Sequence, residues 1–280
     1  FMSSPSGFVS LIRRLDTKGV IHDFIDTASP KYREAISKSK YKGLVQTGAV
    51  ATITQFSDIV FDPKGNLFIS DRLNHQIRKI DNKGKISTIA GTGDSDHYGD
   101  NGPALEAAFR DPNALASDSE GNIYIADTAN NMIRKIDTSG IVTTFAGNGE
   151  HADSGDGDSA LKAGIRSMDD IEFSPKGELH ILGTNTHKVR KITKDGKIIT
   201  VAGKGFSGFF GDGGPATKAM LKNPAAISFD SKGNMYIADM GNNRIRKVNK
   251  QGIISTFAGT GSFGWGRTGE TVEIYLQNFP

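Results

Sequence analysis

The chain contains no cysteine. That excludes a disulfide framework and every thiolate metal site. No stretch approaches the ~18 consecutive apolar residues of a membrane-spanning helix. The opening "FMSSPSGFVS" has neither a basic start nor a long apolar core, so it does not read as a signal peptide. A start at Phe1-Met2 reads as a piece of a longer protein. No nucleophile–base pair and no cofactor fingerprint stands out. The glycine-rich "GDGGPA" loops lack the Lys-Ser/Thr that follows a phosphate-binding loop. "DSGDGDSA" at 153–160 lacks the terminal Glu of a twelve-residue calcium loop. The six histidines form no spaced motif. What remains is a soluble globular composition, 36% hydrophobic and 23% charged, with 34 glycines that call for many tight turns.

The dominant positive signal is a repeat. Gly65, Gly121, Gly177 and Gly233 each open a gapless segment: "GNLFISDRLNHQIRKIDNKGKISTIAG", "GNIYIADTANNMIRKIDTSGIVTTFAG", "GELHILGTNTHKVRKITKDGKIITVAG" and "GNMYIADMGNNRIRKVNKQGIISTFAG". A half copy, "IRRLDTKGVIHDF", stands at 12–24. Each unit reads as four short strands bounded by Gly, Asn, Asp and Pro, as in "DIVFD", "LFIS", "QIRKID" and "ISTIA". The second strand is apolar on both faces, so it must be covered on both. One four-stranded unit cannot do that alone, whereas units stacked around an axis can.

The Gly-Asn-aliphatic-Tyr-Ile-Ala-Asp strand, the Asn-x-x-Ile-Arg-Lys strand and the "FAGTG" ending before "GDGGPA" resemble the NHL-repeat family of β-propellers. The resemblance covers residues 9 to 270. The expected fold is all-β, a propeller of four-stranded antiparallel blades with four complete blades and a partial one. Residues 1–280 then form a single domain. It has a partial blade at 9–26, full blades at about 57–91, 113–147, 169–203 and 225–259, and a tail at 260–280 leading to a missing blade. The resemblance implies a six-bladed parent.

In such a blade, the loop between strands two and three shares a side, the top, with the long loop into the next blade. Long loops on a rigid scaffold carry function. The residues singled out there for partner contact are Asn74, His75, His97, His151, His187, Phe206 and Trp265. Five basic pairs, from Arg13-Arg14 to Arg246-Lys247, hold ten of the 34 bases. Because these pairs recur with the scaffold, Arg78, Arg134 and Arg246 are expected to bind Asp71, Asp127 and Asp239 rather than nucleic acid. Gly183 replaces that Asp in the third unit, so Arg190 needs another partner. Asp100, Asp156 and Asp212 are expected to cap a short helix. Phe209 and Trp265 occupy equivalent slots, expected to pack between blades.

At the channel mouth, Asp58, Asn113, Asp170 and Glu172 converge. The function expected is a non-enzymatic scaffold that binds a macromolecular partner, protein ahead of RNA, without a cofactor. The alternative is a hydrolase or lactonase of the kind the resemblance includes, with calcium held by those four residues.

Overall fold

The computed structural model describes residues 11–15, 21–26, 56–81 and 85–262. Strands β1 (Leu11–Leu15) and β2 (Ile21–Asp26) pair antiparallel as a two-stranded sheet. Four antiparallel blades follow. Blade 1 is β3 (Phe56–Phe61), β4 (Leu67–Asp71), β5 (Gln76–Ile80) and β6 (Ile86–Ala90). A two-residue strand, β7 (Gly102–Pro103), precedes blade 2, which is β8 (Pro112–Ser117), β9 (Ile123–Asp127), β10 (Met132–Ile136) and β11 (Ile141–Ala146). Blade 3 is β12 (Asp170–Phe173), β13 (Leu179–Gly183), β14 (Lys188–Ile192) and β15 (Ile198–Ala202). Blade 4 is β16 (Ala226–Phe229), β17 (Met235–Asp239), β18 (Arg244–Val248) and β19 (Ile254–Ala258). The protein is thus an all-β propeller, as the repeat requires. The expected tail lies almost wholly outside the described residues.

The second strand is the hydrophobic centre of each blade. Every residue of β4, β9 and β13 is buried. Among the described residues three apolar clusters lie between blades: one joins Ile77 and Phe68 to Ile125 and Phe109, another joins Ile133 and Tyr124 to Ile171 and Ile181, and a third joins Leu182 and Val189 to Ile227 and Ile237, while a smaller one, Leu67, Ile69 and Ile80, lies within blade 1. The bottom turns are set by a side chain. Asp62 Oδ1 accepts the N–H groups of Lys64 (2.9 Å) and Asn66 (2.8 Å), and Asn66 Nδ2 donates to Asp62 Oδ2 (2.6 Å). Asp118 with Asn122 and Asp230 with Asn234 repeat this. The recurrent "AG" has a steric cause. Gly147 has φ 94°, and a Cβ there would overlap the carbonyl oxygen of Asn131.

Each third strand meets its fourth across a register shift that falls immediately before Arg78, Arg134, Arg190 or Arg246. Such a bulge re-aims the side chains beside it.

The long loops differ from the expectation of free top-face segments. Their middle portions run along the outer edge of the following blade. β7 pairs with the start of β11, and Asn101 and Ala104 donate to the carbonyls of Val142 (2.8 Å) and Gly140 (2.8 Å). The bridges Ser159–Lys197 and Pro215–Ile253 repeat the contact in blades 3 and 4. A covered edge cannot template pairing with another chain. Each loop holds one 3-10 turn, at Ala104–Glu106, Ala160–Lys162 and Ala216–Lys218. What stays at the top are hairpin-like tips near 92–98, 148–154 and 204–210, bridged at Ser95–Phe109, Asp153–Ile165 and Ser207–Leu221.

Ile125 is fully buried in the cluster joining blades 1 and 2. Ile125→Ala removes buried methylenes and leaves a cavity, so urea unfolding should show a loss of about 2–5 kcal/mol. The same change at the exposed Ile59 should cost far less.

Candidate functional site

The phrase that opens at Asp71, Asp127 and Asp239 builds a buried ion cluster. Arg78 Nε donates to Asp71 Oδ2 at 2.9 Å, and Arg246 Nη1 donates to Asp239 Oδ2 at 3.1 Å. Arg134 Nη1 lies 3.5 Å from Asp127 Oδ2, an ion pair just beyond good hydrogen-bond length. Arg134 and Arg246 are completely buried, as are all three aspartates.

Asp100, Asp156 and Asp212 correct the sequence expectation. They cap no helix, and the 3-10 turns beside them have no side-chain cap. Each supplies a second carboxylate to the arginine of its blade instead. Asp100 Oδ1 lies 2.7 Å from Arg134 Nη2, Asp156 Oδ1 2.7 Å from Arg190 Nη2, and Asp212 Oδ1 2.6 Å from Arg246 Nη2. The other oxygen of Asp100 and Asp212 takes a threonine hydroxyl, from Thr144 (2.5 Å) and Thr256 (2.6 Å). In blade 3, where Gly183 removes the first carboxylate, Asp153 from the loop stands in at 3.4 Å from Arg190 Nη1. It also binds Lys188 Nζ at 2.7 Å. The lysines of the phrase turn the other way. Lys79, Lys135 and Lys247 lie over the rings of Phe68, Tyr124 and Tyr236 at 5.6, 5.7 and 5.5 Å.

Burial pushes Asp127 up to about 6, against the pull of Asn130, the Arg110 N–H and Arg134. Arg134→Met leaves that carboxylate buried and short of its cation. Denaturant unfolding should show a loss of about 3–5 kcal/mol, and adding Asp127→Asn should recover part of it.

The top-face residues separate into two groups. Asn74 Nδ2 donates to both oxygens of Asp71 (2.9 and 3.0 Å). His75 and His187 occupy left-handed backbone (φ 54° and 53°). Their Nδ1 atoms accept the N–H groups of Asp111 (3.4 Å) and Asn223 (3.2 Å) from the next blade. These three side chains therefore hold the scaffold. His151 Nδ1 lies 3.3 Å from Asn131 Oδ1, and His97 Nδ1 3.1 Å from Asp96 Oδ1 on an exposed tip. Phe206 is 66% exposed. Trp265 lies outside the described residues. Phe209 does not pack between blades as its slot suggests; its ring lies under the guanidiniums of Arg244 (4.0 Å) and Arg246 (4.8 Å). Sequence reasoning placed Phe210 in the same aromatic cluster as Phe206 and Phe209 but passed over Lys204 and Arg244. The signal for Lys204 was the acid-free run "GKGFSGFF" at 203–210 in an otherwise acidic set of tips.

In the channel, Asp58, Asp170 and Glu172 line one cavity of about 360 Å³. The acids are tied to neighbours. Asp58 accepts the N–H groups of Ile59 (2.7 Å) and, across the blade junction, Leu115 (2.7 Å). Asp170 accepts that of Ile227 (2.7 Å), and Glu172 the hydroxyl of Ser228 (3.4 Å). Asn113 Nδ2 donates to the Met168 carbonyl (3.3 Å). Among the described residues no three His, Asp or Glu side chains come together as a metal would require. A larger cavity of about 910 Å³ opens between bottom turns of blades 2 and 3, around Tyr124, Phe145 and Phe173, and is lined by none of the residues expected to contact a partner or a metal.

Burial, then the charge of its neighbours, pushes Asp170 up to about 6 and Glu172 up to about 7. Both hold protons in the folded state that the unfolded chain releases near 3.8 and 4.5. Their contribution to stability is therefore full at low pH and lost as pH rises through the folded values. His180, pushed down to about 4 by burial, acts in the opposite sense. The difference between variants isolates one group. Glu172→Gln should gain melting temperature relative to the parent as pH rises from about 4.5 to about 7, and should show no such trend if Glu172 titrates normally.

The architecture defines a β-propeller, and comparison places it further. The family profile described as Teneurin NHL domain matches residues 92–156 and 205–268. Teneurin-m of Drosophila melanogaster is 27% identical over 257 residues, covering 82% of this chain and 9% of that protein. Human Teneurin-4 is 28% identical over 280 residues, covering 92% of this chain and 9% of that protein. The chain thus spans about a tenth of these relatives. Among solved structures, a streptogramin B lyase aligns with a TM-score of 0.52 at 14% identity, covering 91% of this chain and 66% of that one. An auxiliary nutrient binding protein from Bacteroides ovatus gives 0.54 at 17% identity, covering 75% and 48%. At such identities these two share the fold alone. In repeat and fold the chain is therefore similar to the NHL-repeat β-propellers.

Proposed function

We propose that this propeller is a binding scaffold that engages a protein partner through its top-face tips and performs no chemistry itself. One observation carries the reading. The arginines and the acids of the repeat are spent on holding blades and loops together, whereas the top of blade 4 leaves Phe206, Phe209, Phe210 and Met240 exposed. Exposed apolar side chains gathered on one face mark interaction sites. The curated relatives share this domain in a protein about ten times longer, which fits a module that presents a surface.

The alternative, a calcium-dependent hydrolase or lactonase acting at Asp58, Asn113, Asp170 and Glu172, draws support from the shared cavity. The donor set fits a resident calcium poorly, because the oxygens of Asp58 already accept two N–H groups and the Asn113 amide is turned to a carbonyl. An added calcium titration is the direct check on that alternative.

Photo-crosslinking residues introduced at Phe206 and Tyr98 on the top, and at Lys176 and Lys232 in bottom turns, test the scaffold reading. Extracts of the native cells should give discrete protein adducts from the top positions only. Adducts from the bottom turns alone, or from none of the four, would overturn it.

A further inference from the structure

The top face is electrostatically uneven, and its unevenness selects a kind of partner. The tip leading into blade 2 carries Asp94 and Asp96, both exposed. The tip leading into blade 3 carries Glu150, also exposed. The tip leading into blade 4 has no acid in residues 203–210 or 219–224, and instead has Lys204 and Lys222, both exposed. Lys204 Nζ stands 5.9 Å from the rings of both Phe206 and Phe210. Those two rings are 66% and 63% exposed. Arg244 lies over Phe209, and its guanidinium donates to the carbonyls of Asn242 (3.1 Å) and Thr260 (2.9 Å). Neither Lys204, Lys222 nor Arg244 forms an ion pair with a described residue, in contrast to Arg134, Arg190 and Arg246. Asn242 Nδ2 donates to the Gly208 carbonyl (2.8 Å), which pins the tip to the strand-two to strand-three turn of its own blade. The patch is therefore held in place by the scaffold.

The geometry points to this patch as a docking site for a short acidic segment of a protein partner, one that carries an apolar side chain between its carboxylates. This rests on the top-face reading above and names the partner's chemistry. The apolar side chain would cover Phe206 and Phe210, and the carboxylates would meet Lys204, Lys222 and Arg244. Water is excluded from a charge pair most effectively beside an apolar anchor. A nucleic acid fits the face less well. One face of Phe209 is already taken by guanidiniums, so it is not open as a stacking platform for a base. A phosphate chain leaving the patch across the top would also meet Glu150, Asp94 and Asp96, whereas a short acidic segment need not extend that far.

Fluorescence polarisation decides between these occupants. The probes are a labelled twelve-residue peptide of Asp and Glu around a central Phe-Leu, the same peptide with Asn and Gln in place of the acids, and a labelled twelve-nucleotide oligouridine. The acidic peptide should bind, weaken as salt is raised, and lose at least tenfold in affinity in Phe206→Ser/Phe210→Ser and in Lys204→Glu/Lys222→Glu. Lys232→Glu, in a bottom turn, should match the parent. Thermal melting of each variant checks that the fold survives, since all substituted side chains are exposed. Equal binding of the neutral peptide, tighter binding of the oligouridine, or no binding of the acidic peptide overturns the proposal. If the acidic peptide fails while crosslinking at Phe206 succeeds, the partner's chemistry is wrong and the top-face reading stands. If both fail, the top-face reading falls with it.

Discussion

A completely buried guanidinium needs somewhere to put five N–H donors, and this requirement organises the propeller. Two carboxylates supply most of the answer, from separate parts of the chain in blades 2 and 4 and from one loop in blade 3. Backbone carbonyls take more of it. Arg190 donates to the carbonyls of Gly164 (3.0 Å) and Ser154 (2.7 Å), both in the loop that wraps its blade. The arginine thus ties together the third strand, the turn before it and the incoming loop. A leucine at that place would cost less to bury. It would also leave the loop unattached and the outer strand edge uncovered. The register shift before each arginine belongs to the same arrangement, because it sets the arginine opposite the threonine that shares its carboxylate in blades 2 and 4.

Between blades the ties alternate. At the junction of blades 1 and 2, Asp58 takes the Leu115 N–H, His75 takes that of Asp111, and Arg72 forms an ion pair with Asp111. At the junction of blades 3 and 4, Asp170 takes the Ile227 N–H and His187 that of Asn223. The middle junction has neither device. It relies on the Thr128 hydroxyl and the Asn113 amide, both reaching the Met168 carbonyl, and on Tyr124 set edge-on to Phe173 at 4.9 Å. Ala114 and Ala226 stand where the aspartates would be, and Asn131 and Asn243 where the histidines would be. The blade is therefore the unit of folding pattern, but the pair of blades is the unit of junction chemistry. The two segments matched by the family profile, which lie two blades apart, follow the same spacing.

The strand pattern, the buried second strand and the Asp71–Arg78 pairing were all legible in the repeat, because each depends on residues close in sequence and copied with the scaffold. What escaped was the second carboxylate. Asp100 and Arg134 are separated by a loop that had no reason, from periodicity, to return along the outer edge of the blade. Its glycines and proline signal a turn equally well in a free loop and in an edge-covering one. His75 and His187 were legible as equivalent positions but not as acceptors, since nothing local announces that the next blade presents an N–H there. The same limit explains the channel. Asp58 and Asp170 line one cavity, and their neighbours across each junction were invisible in the sequence.

These findings bear on how a repeat acquires a specific surface. Every blade spends the recurrent arginine on holding the scaffold, so the charged side chains that look most functional by recurrence are the ones least free to act. Specificity must then come from positions that the scaffold does not constrain. The tips at 92–98, 148–154 and 204–210 are such positions. Their bases are fixed by bridges to the returning chain, while their outward side chains differ in sign and polarity from one blade to the next. A rigid base with a variable tip pays little ordering entropy on binding. The acid-free, phenylalanine-rich tip of blade 4 is the one that departs furthest from its copies, and departure from the repeat, rather than membership of it, is the mark of a site here.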